Sequence, residues 1–304
     1  KILLKMRRLL LLLLIGFAVS LTSCRNDFDF ESSSGNLRFS KDTVYLDTVF
    51  TNIGSSTYTL KVYNKSDKNI AIPSLKLGKG MASKYRLMVD GIPGQEFQNV
   101  EMLAKDSMYI FVSVTADVAD SNPTDFLYTD QILFGEGTNQ QKVALVTLIQ
   151  DAVFLYPQKF SDGTTETLPL GDEEIYGFFL DEADPNNGNE LHWTNNKPYV
   201  VYGYAAVPST KTLIVDAGAR VHFHAESGLI VANNASLQIN GSPSSTAALE
   251  NEVIFEGDRL EPDFSEVPGQ WGTIWLTQGS TNNSISNLTV KNATVGLLVT
   301  GNDG

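Results

Sequence analysis

Beyond its first two dozen residues this chain nowhere sustains the apolar period of a long amphipathic helix. Its apolar residues fall in short alternating runs broken by Gly, Asn and Ser. A period of two puts every second side chain on one face, which is the signature of a half-buried strand. Val, Ile, Thr, Tyr and Phe, which suit a pleated surface, are plentiful. The chain therefore reads as all-β, and its length suits two domains.

The runs come in two styles. Between 37 and 155 they lie at 44–50, 57–64, 85–89, 107–114, 130–134 and 141–148, with turns between. Tyr58, Leu60 and Val62 share one face, and 64–69 is a polar hairpin tip. Spacing of this kind predicts an antiparallel sandwich. From 198 to 304 the strands are shorter and the corners tighter, at 213–215, 221–224, 228–231, 237–241, 253–255, 270–276, 285–290 and 293–299. Such coils cannot bury their Val, Ile, Leu and Phe alone, so they must stack as a solenoid. Asn233, Asn283, Asn287 and Asn292 are either corner residues bonding between coils or simple turn formers.

Between the two styles, 156–197 reads as an acidic junction. Asp181, Glu182, Asp184, Asn186, Asn187, Asn189 and Glu190 crowd one short stretch. Oxygen ligands at that density could hold Ca²⁺, although the spacing is not that of an EF-hand, and a solvated acidic loop is the simpler reading.

The amino-terminal end is of another kind. Lys5, Arg7 and Arg8 precede an apolar run at 9–19, and small residues then lead to Cys24, the chain's one cysteine. That order is a secretory signal, with a run too short to span a bilayer comfortably. Leu21-Thr22-Ser23-Cys24 resembles a bacterial lipobox. The resemblance implies cleavage between Ser23 and Cys24 and lipidation of Cys24; a chance cysteine behind an ordinary signal is the alternative. Residues 24–36, with Ser32-Ser33-Ser34-Gly35, read as a flexible tether. Asp27, Asp29 and Glu31 loosely resemble an export signal to the outer face in Gram-negative bacteria, and Arg25 argues against retention in the inner membrane. The expected address is the outer membrane, by lipid anchor, on its cell-surface or periplasmic face.

Charge narrows the partners. The chain carries 22 Lys and Arg against 35 Asp and Glu, a net charge of −13, and loss of the four signal cations leaves −17. An envelope this acidic excludes nucleic acid as a partner, and it reaches a membrane through lipid rather than through anionic headgroups.

Two further resemblances bear on fold. Residues 46–50, 63–65, 85–87, 107–112 and 130–134 resemble bacterial Ig-like modules related to the ASPM–SPD-2–Hydin group. That likeness implies a spacer or docking role, without an antibody-type disulfide. Residues 217–221, 228–231, 237–241, 253–255 and 269–274 resemble right-handed parallel β-helix lipoproteins of the pectin-lyase-like architecture. The fold class expected is thus all-β, an Ig-like β-sandwich followed by a right-handed parallel β-helix. The last residues lack a polar cap, so further coils are expected beyond 304.

Lyases on such a fold need a base beside a neutralised carboxylate, and hydrolases need paired carboxylates. Here Lys211, Arg220, Arg259 and Lys291 are scattered. Glu252 and Glu256 share a face, as a pair or as a charged corner, and 257–268 is expected to project as a loop. His222 and His224 lie on the face opposite Val221 and Phe223, as two metal ligands or as outward surface groups. Trp271 and Trp275 form a candidate platform for sugar rings, with core packing as the alternative. The expectation is a non-catalytic envelope protein offering its β-helix surface for adhesion or glycan binding, with no cofactor unless Ca²⁺. The alternatives are a polysaccharide lyase or glycoside hydrolase with catalytic coils beyond 304, and a structural part of an envelope assembly with a protein partner.

Overall fold

The computed structural model describes residues 29–171 and 173–301. The signal-like segment with Ser23 and Cys24 lies outside the described residues. Strands dominate the rest, and helix among the described residues is limited to short 3-10 turns such as Val118–Asp120 and Pro262–Phe264. No helix there is long and apolar enough to cross a membrane.

The first unit is a sandwich of two sheets. One runs in the order Glu31–Ser32, Ile70–Leu77, Leu127–Phe134, Gln141–Gln150, Thr43–Phe50, and Glu96–Met102 also pairs with Ile70–Leu77. The other runs Arg38–Phe39, Tyr58–Tyr63, Ser107–Val114, Tyr85–Val89, Ile92–Gly94. Pairing is mostly antiparallel, but Thr43–Phe50 joins Gln141–Gln150 in parallel. Alternation does the sorting: Tyr85, Leu87 and Val89 are buried while Arg86 and Met88 between them are exposed. Leu46, Leu60, Ile72, Leu75, Ile110, Val112, Ile132 and Leu145 fill the space between the sheets. Part of the segment expected to be a free tether is docked here. Glu31 and Ser32 pair in parallel with Ile70 and Ala71, and Glu31 lies 2.5 Å from the Lys68 ammonium.

The second unit starts at Val153–Leu155, so only Asp151 and Ala152 separate it from the last sandwich strand. From there the chain visits three sheets in rotation. The first holds Val153–Leu155, Tyr199–Val201, Arg220–Phe223, Val253–Gly257 and Leu288–Val290. The second holds Thr167–Leu170, Glu173–Phe179, Tyr204–Val207, Gly228–Val231, Trp271–Leu276 and Ala293–Val299. His192–Trp193, Thr212–Asp216, Ser236–Asn240 and Ser284–Ser286 make the third. Neighbours are parallel except in the hairpin of Thr167–Leu170 with Glu173–Phe179. The stretch 156–197 is therefore built into these sheets rather than standing between the units.

Strands this short cannot bury their apolar side chains singly; stacking gives each one a parallel neighbour and a shared interior. That interior holds Leu213, Val215, Val221, Leu229, Leu237 and Ile239, with an aromatic series through it. Trp193 stacks on Tyr199 at 5.4 Å, and Phe223 lies 5.5 Å from Phe255 and 4.3 Å from Trp271. Corners are fastened by asparagine. Asn283 accepts from the Leu237 amide at 2.9 Å, and Asn287 donates to the Gly241 carbonyl at 3.0 Å. Outside the second sheet the Tyr204 ring lies across Gly228 and Gly272. A Cβ added at Gly228 would sit 2.5 Å from that ring, and one at Gly272 would sit 2.2 Å from its hydroxyl.

Candidate functional site

The two units meet side to side along the first sheet of the second unit, and their meeting leaves a cleft. Alternation in Arg220–Phe223 sends Val221 and Phe223 into the core, so His222 faces outward, toward the sandwich. There the edge of the Phe50 ring covers it at 4.9 Å, and only 4 % of His222 remains exposed. Its Nδ1 lies 3.2 Å from the Gly257 carbonyl oxygen, the geometry of an Nδ1–H donor. Burial holds its pKa below the ordinary imidazole value, although Glu256, 3.8 Å away, pulls the other way.

Past the strand end, His224 Nδ1 lies 2.6 Å from Asp258 Oδ2, and its ring packs on Tyr202 at 4.5 Å. Burial first, then the Asp258 charge, push the Tyr202 phenol up to about 12. The segment after Asp258 reaches across to the sandwich. Glu261 accepts from the Ser56 hydroxyl and from Arg259 Nε and Nη2, the latter two at 3.2 Å. The Arg259 guanidinium also lies 3.8 Å over the Phe264 ring. Burial alone would raise Glu261; the hydrogen bonds from Arg259 and Ser56 outweigh it and hold the carboxyl low. On the sandwich side Tyr58 donates to Asp47 at 2.5 Å, and burial followed by that bond holds its phenol well above the ordinary range.

These groups line a cavity of about 280 Å³, among them Phe50, Ser56, Tyr58, Tyr202, Asp258 and Glu261. Its charged lining groups are Asp258 and Glu261 against the single guanidinium of Arg259, and Asp47 lies in the adjoining pocket, so the cleft is acidic. Ser56, Tyr58, His224, Arg259 and Glu261 in it are already hydrogen-bonded to one another or to neighbours, which preorganises them, while the Tyr202 hydroxyl is left to a ligand. Ser56 donates to Glu261, a carboxylate whose basicity is lowered by its hydrogen bonds from Arg259, which makes it a weak base for activating the hydroxyl.

The residues singled out in the sequence are dispersed. Trp271 is 1 % exposed, its ring stacked on Phe223 and its Nε1 donating to the Lys291 carbonyl at 2.8 Å. It has no free face for a sugar ring, and that half of the platform is corrected to core packing. Trp275 lies half-buried on the other side of the sheet, beside Ala206 and Ile230, and donates to Thr300 Oγ1. Alternation breaks where Thr273 and Ile274 are both buried, at the point where pairing with Ala293–Val299 skips Gly296, so the two rings do not share a face.

In the acidic stretch Asp181 accepts from the Ala183 amide, and Asp184 from the amides of Asn186 and Asn187. Glu182 pairs with Lys211 at 2.6 Å, and the Glu190 carboxylate takes the Asp181 amide and the Asn187 side chain. These oxygens fold the loop instead of converging on a point. His222 and His224 have separate partners as well. Among the described residues no group of three or more His, Cys, Asp or Glu is arranged to hold a metal ion. Glu252 accepts from Thr289 and Glu256 faces Lys291 at 3.8 Å, so they do not act as a carboxylate pair.

The stretch 257–268, expected to project, is pinned down instead. Asn292 Nδ2 lies 2.9 Å from the Ser265 and 3.0 Å from the Val267 carbonyl oxygens, and Gln270 Nε2 lies 2.7 Å from that of Phe264. Sequence reasoning missed Phe50, Ser56, Tyr58, Tyr202, Asp258 and Glu261 as neighbours. The alternating charges of Asp258-Arg259-Leu260-Glu261 were the one visible signal, and their partner Ser56 is about two hundred residues away.

No protein-family model matches the chain, and no curated relative matches it. Several solved structures are similar to part of it. The ASH/PapD-like domain 7 of human CEP192 is 8 % identical with a TM-score of 0.25, covering 43 % of this chain and 97 % of that domain. The E. coli chaperone DraB is 13 % identical with a TM-score of 0.26, covering 49 % and 70 %. The periplasmic chaperone SfaE is 15 % identical with a TM-score of 0.24, covering 38 % and 58 %.

Proposed function

We propose that this chain is a lipid-anchored, non-catalytic protein of the outer membrane that contacts glycans. In this reading Cys24 carries the lipid, the sandwich is Ig-like, and the three-sheet stack is a right-handed parallel β-helix. The rotation of the chain through three parallel sheets supports the last assignment. One observation carries the functional reading: the cleft between the units, of about 280 Å³, joins the tyrosine rings 58 and 202 with fixed carboxylate and guanidinium groups. Flat rings and planar hydrogen-bonding groups are what a pyranose presents its faces and hydroxyls to, and a preorganised site binds at low ordering cost. Two linking residues and a hydrogen-bonded contact hold the units as one body around it.

Native gels containing polysaccharides, run with Ca²⁺ and stained for intact polymer, test this. Retarded migration over undegraded polymer, weakened by Tyr202→Ala, is the expected result. Absence of any retardation overturns glycan contact and favours an envelope protein partner.

A second reading, a polysaccharide-cleaving enzyme, draws on the 2.6 Å contact of His224 with Asp258, which orients an imidazole at the mouth of the cleft. A cleared track in the same gels, abolished by His224→Ala, would establish it in place of the first.

A further inference from the structure

The second sandwich sheet has its inner face in the core and its outer face in solvent, where polar side chains are the ordinary occupants. Here the outward positions of adjacent strands carry Tyr63, Tyr109, Phe111 and Met88 instead. Register sets Lys61 beside Tyr109, and Phe111 between Thr59 and Met88. Tyr109 is 50 % exposed, Met88 41 % and Phe111 39 %. These are neighbours, not scattered single residues, and contiguous exposed apolar surface marks a contact site.

The charge on this face opposes that of the chain. Its outward strand positions include Arg38, Lys61 and Arg86 and no carboxylate; Asp67, Asp90 and Asp106 stand only in the turns at its rim, where Asp67 pairs with Lys105. Lys65 reaches in from the neighbouring turn. None of these four cations forms an ion pair among the described residues. Lys61 lies 5.0 Å from the Tyr109 ring centroid and 5.3 Å from that of Tyr63, and Lys65 lies 4.5 Å from the latter. In a chain of net charge −13 this is a local reversal of sign. The ammonium groups lie over the tyrosine rings, within the patch rather than around a protruding apolar tip, which suits a charged polymer better than insertion into a bilayer.

We infer that this face binds an anionic polysaccharide, its sugar rings stacked on Tyr109 and Phe111 and its carboxylates paired with Arg38, Lys61, Lys65 and Arg86. This site is separate from the inter-unit cleft, and it selects for charge where the acidic cleft would reject it.

Affinity for polygalacturonate, for neutral dextran and for phosphatidylglycerol vesicles is measured with the purified full chain. The expected result is retention by polygalacturonate alone, weakening as salt rises. The R38E/K61E double substitution is expected to weaken it at least tenfold, and Y109A/F111A to weaken it even at low salt. All four side chains point outward, and unchanged melting temperatures confirm intact folding. Tyr202→Ala in the cleft is expected to leave polygalacturonate binding unchanged, which separates this site from the cleft. No retention by polygalacturonate, equal retention by both variant pairs, or binding to the vesicles instead would each overturn the inference.

Discussion

Trp271 and Trp275 stand on one strand at a spacing that strict alternation would put on the same face, yet one is in the core and the other outside it. The register shift at Thr273 is set by pairing with Ala293–Val299, and nothing within 271–276 announces it. Alternation was legible for Val221, His222 and Phe223, but what covered the outward histidine was not, because Phe50 arrives from the other unit. Two predictions belong here. Trp271→Ala removes one of the two indoles of the aromatic series and is expected to cost about 3–5 kcal/mol, read by denaturant unfolding. His222 is held neutral by burial, so its folded pKa lies below the unfolded one. Its contribution is thus fully present above the unfolded value, about 6.5, and is lost as pH falls below it, where only the unfolded chain takes up the proton. Stability should drop between pH 7.5 and 5.5 more steeply in the wild type than in His222→Gln; equal slopes would show that another group controls the drop.

Among the elements, strand existence was the most readable property and sheet membership the least. The strands at 85–89, 107–114 and 228–231 lie where alternation and turn residues put them. Membership of 156–197 in the second unit was hidden, because Pro169, Gly171 and Gly177 interrupt the apolar runs of its hairpin and His192–Trp193 is only two residues long. The asparagines were legible as corners, and Asn283 and Asn287 bond to the preceding turn of the stack. Gly228 was legible only as a strand start, whereas its role is to let Tyr204 lie flat over the second sheet. A methyl there meets the Tyr204 ring and the Thr273 carbonyl oxygen, 2.6 Å away, so ring or backbone has to move. Gly228→Ala is expected to destabilise the chain by about 1–3 kcal/mol, the usual cost of overpacking. A thermal melt measures this, and Gly228→Ala combined with Tyr204→Ala should recover part of the loss.

At the scale of the molecule, two units of different architecture share one contact, and no local pattern in either predicts it. The first style of strands ended at 155 and the second began at 198, and the docking of 258–261 on Ser56 depends on tertiary geometry alone. Phe50, 2 % exposed, is the apolar centre of that contact. The wild type is expected to melt in one calorimetric transition, and Phe50→Ala to split it in two as the sandwich loses its support. A single unshifted transition in the variant would show that the units are not coupled through this ring. The contact also has a mechanical meaning. Asp151 and Ala152 are a covalent strap that reaches only about 7 Å, and the Ser56–Glu261 clasp lies in parallel with it. A pull between the two ends loads both, and the clasp with the Phe50 contact beside it, held by no covalent bond, is expected to yield first. The sandwich then swings on the strap as on a pivot, so the molecule is stiff under small loads and hinged above a threshold: a latch that gives way before either unit unravels.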